Sequence, residues 1–518
     1  MKKQSRTENV ARNVVVTFFA QLIITFFLFV NRTIFIRLLG EDYLGLDGLF
    51  GSILTVFSLA ELGIGNAIVY SLYKPIAEND TYKARQYIEL YRKAYNVIIL
   101  FIFVVGICLA PFINLIVNSD VVKAQINIIV IYFFFLLNTI SSYWLAHRQA
   151  ILIVNQQQSV VSLVQLLIKS LVSIIECVLL LLFRNYYLYL VIRIVGNYVQ
   201  AILISQKAKK LYPTLCENSE GTLSESEVGT VKKNVFALCI KRIGGVVLAS
   251  TDNIVINSFI ALKMVGIYSN YVLIVSSIQT VTVQIFSAMT ASIGNYVASN
   301  DAKDSKKLFE VYSFFTYLVY GFCCVCLYVL TNRFILLMWG EAYLLSKLAL
   351  LLIVLNYFLY GFQASINVFR DTTGLMSQGK YRNLISALVN VVSSLILVQR
   401  LGIVGVILGT IISRIFVSVW YDPYILYKFY FNSDVHLYYL KLFFYVIWTF
   451  ALAILVDIIF KGFDNNVIGF TVCMGGCVLA SSLLVVPFLK TNTCKQAFDR
   501  VLIAFLEVKN KTAEKGKW

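Results

Sequence analysis

Ionisable side chains interrupt several long apolar runs of this 518-residue chain, and they are its first candidates for chemistry. A charged group inside a lipid-spanning helix is costly unless it faces water or a partner, so each one marks a candidate functional position. Arginine in particular suits a phosphate, because its planar guanidinium can donate two parallel hydrogen bonds. The basic candidates are Arg32, Lys169, Arg193, Lys241, Arg242 and Arg414. The acidic candidates are Glu61, Glu176 and Asp252.

The basic candidates also have a purely structural interpretation. Long cationic side chains can extend along a helix to the lipid headgroups, which would account for Arg32 and Arg193 near one surface and Arg242 near the other. Lys169 and Glu176 lie two helical turns apart on one face and could pair with each other. The sequence leaves both interpretations open.

The carboxylates are harder to explain in this way, because aspartate and glutamate are too short to reach the surface from the middle of a span. Glu61 is followed by Gly63 and Gly65, which loosen the helix and could expose backbone carbonyls to a cation. We therefore predict an ion-coupling role, with H⁺ or Na⁺ as the ion, for Asp252, Glu61 and Glu176. The alternative for Glu61 is that it neutralises an arginine.

Catalysis and cofactor chemistry find no support in the sequence. The chain has only two histidines, neither of them placed to serve a nucleophile, and it lacks a glycine-rich nucleotide loop. Most of the ten cysteines lie in apolar runs and are interpreted as packing residues, so we predict neither a metal site nor a disulfide framework. The expectation is a protein that is not an enzyme and has no cofactor.

Composition places the chain in a membrane. Hydrophobic residues make up 59% of it, charged residues 14%, and the mean hydropathy is +0.78. About fourteen runs are long enough to cross the hydrocarbon core as helices, and their continuous apolar character favours helices over a barrel. The predicted fold class is an all-α polytopic membrane protein.

The net charge of +17 follows the membrane topology and does not indicate nucleic-acid binding. Most Lys and Arg residues fall in alternate connecting segments, which the positive-inside rule assigns to the cytoplasm. We therefore predict a multi-pass membrane protein with both termini in the cytoplasm.

An internal repeat organises the chain. The pair Asn31-Arg32 returns in the second half as Asp252-Asn253, and the same offset matches further landmarks in one order over most of both halves. A one-residue shift within this range matches Arg148 with Arg370 and Gln156 with Gln378. Further matched positions are Gly45 with Gly266, Asp80 with Asp301, Glu89 with Glu310, Tyr91 with Tyr312, and Arg193 with Arg414. Since each half holds an even number of spans, we predict two parallel six-helix lobes, with two extra helices.

The predicted domains follow from this repeat and from one polar linker. They are an N-lobe at residues 1–210, a cytoplasmic linker at 211–233, a C-lobe at 234–435, an added pair of helices at 436–490 and a basic tail at 491–518.

The spacing of several motifs resembles one known family, the polysaccharide transporters (Wzx-like oligosaccharide flippases) of the multidrug/oligosaccharidyl-lipid/polysaccharide (MOP) exporter superfamily. The motifs are Arg32-x4-Arg37-Leu38-Leu39-Gly40-x2-Tyr43-Leu44-Gly45-Leu46, Glu61-Leu62-Gly63-Ile64-Gly65, Asp252-Asn253-Ile254 and Val265-Gly266-Ile267-Tyr268. The resemblance covers essentially the whole chain, and its specificity lies in the order and spacing of the motifs.

The resemblance implies two six-helix lobes around a central cavity. It also implies a flippase of the bacterial cytoplasmic membrane that carries undecaprenyl-diphosphate-linked oligosaccharide to the outer leaflet for capsule, exopolysaccharide or O-antigen assembly. Its expected partners are this lipid, membrane lipids, and the polymerase and glycosyltransferases of the same pathway. For such a substrate we predict a binding role for Arg32, Arg193, Arg242, Arg414 and Lys241.

Other functions remain open at this point. A multidrug or small-molecule antiporter of the same superfamily would have a similar repeat but usually twelve spans. A polysaccharide polymerase would usually carry a large outer loop, whereas the predicted outer turns here are short. A major-facilitator sugar transporter would carry a Gly-x-x-x-Asp-Arg-like inner loop, which the sequence lacks.

Overall fold

A computed structural model gives the architecture, and it describes most of the chain. The described residues are 6–61, 63–119, 123–124, 126–217, 221, 223–375, 378–379, 381–463 and 466–499. Side chains within helices are described except at residues 6–12, 14, 237, 238, 240, 241, 288 and 291. Over these residues the chain is helical and contains no strand, which confirms the predicted fold class.

Eighteen α-helices, some of them parts of one longer span, run in chain order through the described residues. They are α1 Arg6–Leu39, α2 Glu41–Phe57, α3 Ile64–Ala77, α4 Thr81–Leu109, α5 Ile113–Ile116, α6 Ile128–Tyr143, α7 Ala146–Val154, α8 Gln158–Phe183, α9 Tyr186–Leu211, α10 Glu225–Phe259, α11 Leu262–Ser299, α12 Ala302–Met338, α13 Lys347–Thr372, α14 Arg382–Leu401, α15 Ile403–Ser413, α16 Tyr421–Leu426, α17 His436–Ile459 and α18 Val467–Ser481.

Thirteen helical segments of the described chain are long and apolar enough to cross a membrane. They correspond to thirteen of the predicted runs. The remaining run, at residues 234–262, coincides with α10, a helix of 35 residues in which some side chains lie outside the description. Multiple membrane-spanning helices are therefore a property of the fold, while the orientation of the termini stays a prediction.

The chain divides into two compact units. Unit 1 comprises residues 1–270 and 383–406. Within it α1 packs along the whole of α8, and polar contacts hold the pair together at intervals. Thr17 Oγ1 lies 2.9 Å from Ser162 Oγ, and Ser173 donates a hydrogen bond to the carbonyl of Phe27. These contacts fix the register of two helices that otherwise present mainly aliphatic side chains.

Unit 2 comprises residues 271–382 and 407–518. Its central helix is α12, which packs against α13, α17 and α18. Tyr317 of α12 stacks on Tyr445 of α17 with ring centroids 4.1 Å apart, and its hydroxyl donates to the carbonyl of Leu484. The two helices predicted as additions to the repeat are thus integral to the aromatic core of this unit.

The compact units differ from the predicted lobes in their boundaries. Residues 234–270 belong to unit 1 because α10 packs against α2 and α3. Units are defined by packing and lobes by repetition of sequence, so the lobe assignment stays a prediction.

The predicted linker begins where α9 ends and includes some residues outside the description. Its described part is attached to α4, since Arg85 pairs with Glu217 at 2.9 Å and Lys83 pairs with Glu227. Ser224 and Glu227 form a capping box at the start of α10. The hydrogen bond from Lys83 holds the pKa of the Glu227 carboxyl below its ordinary value.

Two aspartates matched by the repeat have the same structural role, which is to cap the start of a helix in each half. Asp80 caps α4 by accepting a hydrogen bond from the amide of Lys83 at 2.9 Å. Asp301 caps α12 by accepting one from the amide of Asp304 at 2.8 Å. An aspartate at this position satisfies an amide that would otherwise lack a partner, so each sets the start of its helix.

The two matched glycines lie where α2 and the beginning of α11 meet. A Cβ atom at Gly45 would overlap the carbonyl of Leu262, and one at Gly266 would lie 2.5 Å from the carbonyl oxygen of Glu41. The repeat matches Leu262 with Glu41, so the contact is reciprocal. A twofold relation between the repeats would produce this pattern, and it explains glycine at both positions.

Candidate functional site

Arg193, in α9, lies at the centre of a partly buried polar cluster in unit 1. It donates hydrogen bonds to Asp47 at 3.0 Å, to Glu176 at 3.4 Å and to the hydroxyl of Tyr189 at 2.5 Å. Asn31 donates to Glu176 at 2.6 Å and accepts from the Tyr189 hydroxyl at 3.0 Å. The guanidinium is thus balanced by two carboxylates and oriented by neighbouring polar groups.

This cluster decides one alternative left open by the sequence. Glu176 is 5% exposed and its contacts are with Arg193 and Asn31. Lys169, on the same helix, is exposed. Helical spacing suggested that Lys169 pairs with Glu176. In the structure Glu176 instead accepts a hydrogen bond from Arg193, which belongs to a different helix.

Arg32 binds polar groups of α11, so it does not extend to the lipid headgroups. Its guanidinium donates to Ser269 Oγ at 2.5 Å and to Asn270 Oδ1 at 3.0 Å. The matched residue of the second repeat, Asn253, donates to the carbonyl of Gly48 at 3.3 Å. Because the repeat matches Gly48 with Ser269, these contacts are again reciprocal, and they join α1 and α10 to the same helix pair.

A cavity of about 450 Å³ opens beside the Arg193 cluster within unit 1. Arg193 and Asp47 form the charged part of its wall, and Asn138 and Asn197 are joined there by a hydrogen bond of 2.9 Å. The other polar residues of the wall are Thr55, Ser58, Thr139 and Ser142. Amides and hydroxyls of this kind can bind the hydroxyls of a sugar.

Glu61 and Arg242 form an ion pair at 2.7 Å between a short 3₁₀-helix and α10. The other carboxylate oxygen of Glu61 accepts a hydrogen bond of 2.6 Å from Tyr95, whose ring stacks on Tyr91. The glycine that follows, Gly63, has a positive φ of 75°, so the helix is interrupted beside the carboxylate. The contacts agree with the alternative in which Glu61 neutralises an arginine.

The remaining candidates of α10 are only partly described. Asp252 accepts a hydrogen bond of 3.0 Å from the hydroxyl of Tyr268 in α11. The backbone of Lys241 belongs to α10, but its side chain lies outside the described residues. The proposed roles of both residues stay predictions.

Arg414 has a different environment from the arginines of unit 1. In unit 2 it donates hydrogen bonds to Asn356 Oδ1 at 2.8 Å and to Gln363 Oε1 at 2.5 Å, and it lies 5.4 Å from the centre of the Tyr360 ring. These partners are neutral, and within the described part of the chain no carboxylate pairs with it. Its charge is held in place without being neutralised.

The repeat matches Arg414 with Arg193. Arg414 also begins a π-helical turn, Arg414–Val419, within the span Ile403–Phe431. Such turns are frequent at functional sites because they redirect a side chain that a regular α-helix would place elsewhere.

An ion triad of unit 2 is absent from the sequence-based candidates. Asp422, which is fully buried, accepts hydrogen bonds from both Arg370 and Arg382. Arg382 also donates to Asn367 Oδ1 at 3.2 Å, and Arg370 to the carbonyl of Leu375 at 3.3 Å. In the sequence the two arginines lie at the ends of a predicted connecting segment, and Asp422 lies inside an apolar run. No local sequence pattern therefore predicts that these three residues pair.

Asp47 and the amides around the two arginines were also missed. Asp47 directly follows the repeated Leu44-Gly45-Leu46 motif inside an apolar run, which is the signal that could have identified it. No group of three or more His, Cys, Asp or Glu side chains arranged for a metal ion occurs in the part of the chain that the structure describes.

The fold defined by these helices is that of the MOP superfamily of transporters. No protein-family profile matches the sequence, and no curated protein matches it. Solved structures do match. The lipid II flippase MurJ, in an inward closed conformation, aligns with a TM-score of 0.65 over 92% of this chain and 98% of its own, at 16% identity.

Multidrug transporters of the MATE family share the fold as well. An inward-facing MATE transporter of the MOP superfamily aligns with a TM-score of 0.55 over 80% of this chain and 99% of its own, at 12% identity. The Vibrio cholerae MATE transporter VcmN, in its bent form, gives 0.54 over 82% and 98%, at 14% identity. The likeness in fold confirms the superfamily fold suggested by the sequence motifs, while the polysaccharide-transporter branch stays a prediction.

Proposed function

We propose that this chain is a flippase that moves undecaprenyl-diphosphate-linked oligosaccharide repeat units from the inner to the outer leaflet of the bacterial cytoplasmic membrane. The product would serve capsule, exopolysaccharide or O-antigen assembly, and movement would occur by alternating access. A fold shared with a lipid II flippase supports this class of substrate, because a lipid-linked sugar requires a polar path for its head through the membrane.

The observation that carries the proposal is the environment of Arg414. A guanidinium within a span is costly, and neutral amides offset only part of that cost. An anionic substrate would supply the missing countercharge at the moment of binding. Nε and Nη1 of Arg414 already donate hydrogen bonds to amide oxygens, so Nη2 can donate to a phosphate oxygen.

The cavity beside Arg193 supports a second contribution. Asp47 and Glu176 already balance the charge of Arg193, so this site is suited to polar, uncharged groups. We assign the sugar portion of the substrate to the amides Asn138 and Asn197. Arg32 and Arg242 then support the site by holding helices together, and their direct contact with substrate stays a prediction.

Selectivity among polyprenyl lipids tests whether Arg414 binds the diphosphate of the substrate. Purified protein should bind undecaprenyl diphosphate more tightly than undecaprenyl monophosphate, and the neutral alcohol most weakly, because each lost charge removes a favourable interaction with Arg414. Competition against a fluorescent diphosphate lipid measures the order. Equal competition by all three lipids would contradict a cationic substrate site.

Coupling to a cation gradient is the second part of the proposal, and Asp252 is its most testable residue. Asp252→Asn keeps the size of the side chain and an acceptor for the Tyr268 hydroxyl but removes the charge. We expect lipid binding within about twofold of the parent and transport that no longer responds to a proton or sodium gradient. Gradient-dependent transport by this variant would remove Asp252 from the coupling step, and Glu61 and Glu176 would be examined in the same assay.

A small-molecule antiporter is the second candidate, favoured by the MATE family structures that share the fold. It differs from a flippase in the charge of its cargo. A cationic drug would be repelled by Arg414, whereas a diphosphate lipid would be attracted. Transport of a cationic dye in place of the lipid would support the antiporter.

A further inference from the structure

A second cavity, of about 240 Å³, lies in unit 2 where the N-terminal ends of α12 and α17 meet. We call it the helix-end cavity. The cations Lys306 and Lys441 and the carboxylates Glu310 and Asp434 line it together with aromatic residues, and Ser313, Leu437 and Tyr438 also carry the argument. Asp434 is 74% exposed and lies 3.8 Å from His436, away from the buried part of the wall. Both helices begin next to charged segments, so the cavity lies at a membrane–water boundary.

The two lysines of this cavity differ in their partners. Lys441 pairs with Glu310 at 3.4 Å, and both side chains are about one-third exposed. Lys306 lies 5.4 Å from the centre of the Tyr427 ring, and none of the described carboxylates forms an ion pair with it. Lys306 is therefore a cation held against an aromatic wall and still able to bind an anion.

Two buried hydroxyls of the wall have no hydrogen-bond partner among the described residues. They are Ser313 Oγ and the hydroxyl of Tyr438, and both residues are 6% exposed. A buried hydroxyl without a partner costs free energy, and nearly all such groups in proteins are satisfied. A polar ligand in the cavity would satisfy them. These hydroxyls are a second observation, independent of the charges, that indicates a ligand.

One side of the cavity faces apolar surroundings. Leu437 lines it and is 60% exposed, and Leu440 and Phe443 on the same helix are 66% and 67% exposed. In a membrane these exposed side chains meet acyl chains. A ligand that enters from this side would need both an apolar tail and a polar head.

We propose that the helix-end cavity binds a glycerophospholipid with an anionic headgroup, drawn from the leaflet in which α12 and α17 begin. Its phosphate accepts from Lys306 and from the hydroxyls of Ser313 and Tyr438, and its acyl chain lies along Leu437. Basic pockets between membrane helices bind lipid headgroups by this combination of charge and apolar contact. This site lies apart from Arg414 and does not depend on the proposed transport substrate.

Lipid binding by the purified full-length protein tests the proposal. Native mass spectrometry would compare phosphatidylglycerol with phosphatidylcholine of the same chains. We expect phosphatidylglycerol to bind more tightly and Lys306→Gln to weaken it about fivefold, while Lys306→Arg retains it. Ser313→Leu, which fills the cavity without changing charge, should weaken binding by a similar factor.

The matched control is Lys307→Gln. Lys307 is the next residue on the helix, pairs with Asp304 at 2.8 Å, and is not part of the cavity wall. The Lys307→Gln variant should bind phosphatidylglycerol as tightly as the parent protein does. Equal losses in Lys306→Gln and Lys307→Gln, or equal binding of the two lipids, would overturn the site. Displacement of the lipid by soluble glycerol phosphate at equal concentration would identify a soluble anion as the ligand and overturn the lipid.

Discussion

Arg414→Ala should reduce binding of a diphosphate-linked lipid by roughly ten- to a hundredfold and abolish its transport. The physical reason is the loss of a charge-assisted hydrogen bond inside a span, which contributes about 1.5–3 kcal/mol. The guanidinium is presented by a π-helical turn and held by Asn356 and Gln363, so the alanine variant removes a positioned cation. Surface polysaccharide and transport in vesicles would both report the loss.

Two further variants separate substrate binding from folding. Arg414→Lys keeps the charge but lacks the planar fork, so it should restore transport only in part. Arg400→Ala removes an arginine exposed at the end of α14 and should behave like the parent. Normal transport by Arg414→Ala, at normal abundance, would exclude this residue from the substrate site.

Asp422→Asn should cause the largest loss of stability in unit 2. Its carboxylate is fully buried and shared by Arg370 and Arg382, so its neutralisation removes the countercharge that these two buried guanidinium groups share. Breaking a buried ion pair in this way costs about 3–5 kcal/mol. We expect a lower melting temperature and reduced abundance in the membrane.

The comparison variant is Arg382→Gln, which leaves Arg370 and Asp422 as a neutral pair. It should destabilise the protein less than Asp422→Asn does. The loss of stability in the double variant should be smaller than the sum of the losses in the two single variants. Thermal unfolding of the purified variants in one detergent gives the order. A greater loss in Arg382→Gln than in Asp422→Asn would show that the carboxylate is not the shared countercharge.

Much of the fold was available from the sequence, because its signals are long and repeated. Apolar runs predicted the helices, since a span needs about twenty apolar residues. The constant offset of the repeat matched Asp80 with Asp301, and both cap a helix. It also matched Gly45 with Gly266, where close contact of two backbones explains the absence of a side chain.

The partners of the charged residues were far less accessible to sequence reasoning. Spacing along one helix suggested that Lys169 pairs with Glu176, but the stronger partner, Arg193, comes from a different helix. Local rules describe neighbours on one helix face, whereas ion pairs in a bundle depend on which helices pack together. The alternative that gave Glu61 an arginine partner agreed with the structure without naming Arg242.

The environment of Arg414 shows the same limit in another form. Its match with Arg193 identified the position, but two carboxylates surround one arginine and neutral amides the other. A π-helical turn has no reliable pattern in sequence, because it differs from an α-helix by one inserted residue. The repeat therefore located the candidate residues, and only their surroundings distinguish a balanced charge from an available one.

Translocation by the purified protein in vesicles is the most direct test of the proposed flippase. Fluorescent undecaprenyl-diphosphate oligosaccharide is placed in both leaflets, and an impermeant glycosidase removes sugar from the outer one. With the parent protein, digestion should exceed the fraction of lipid that starts in the outer leaflet, because lipid from the inner leaflet is delivered to the enzyme. With Arg414→Ala, digestion should stop at that starting fraction. Digestion that stops there with the parent as well, in vesicles that still transport a cationic dye, would contradict the flippase and support an antiporter.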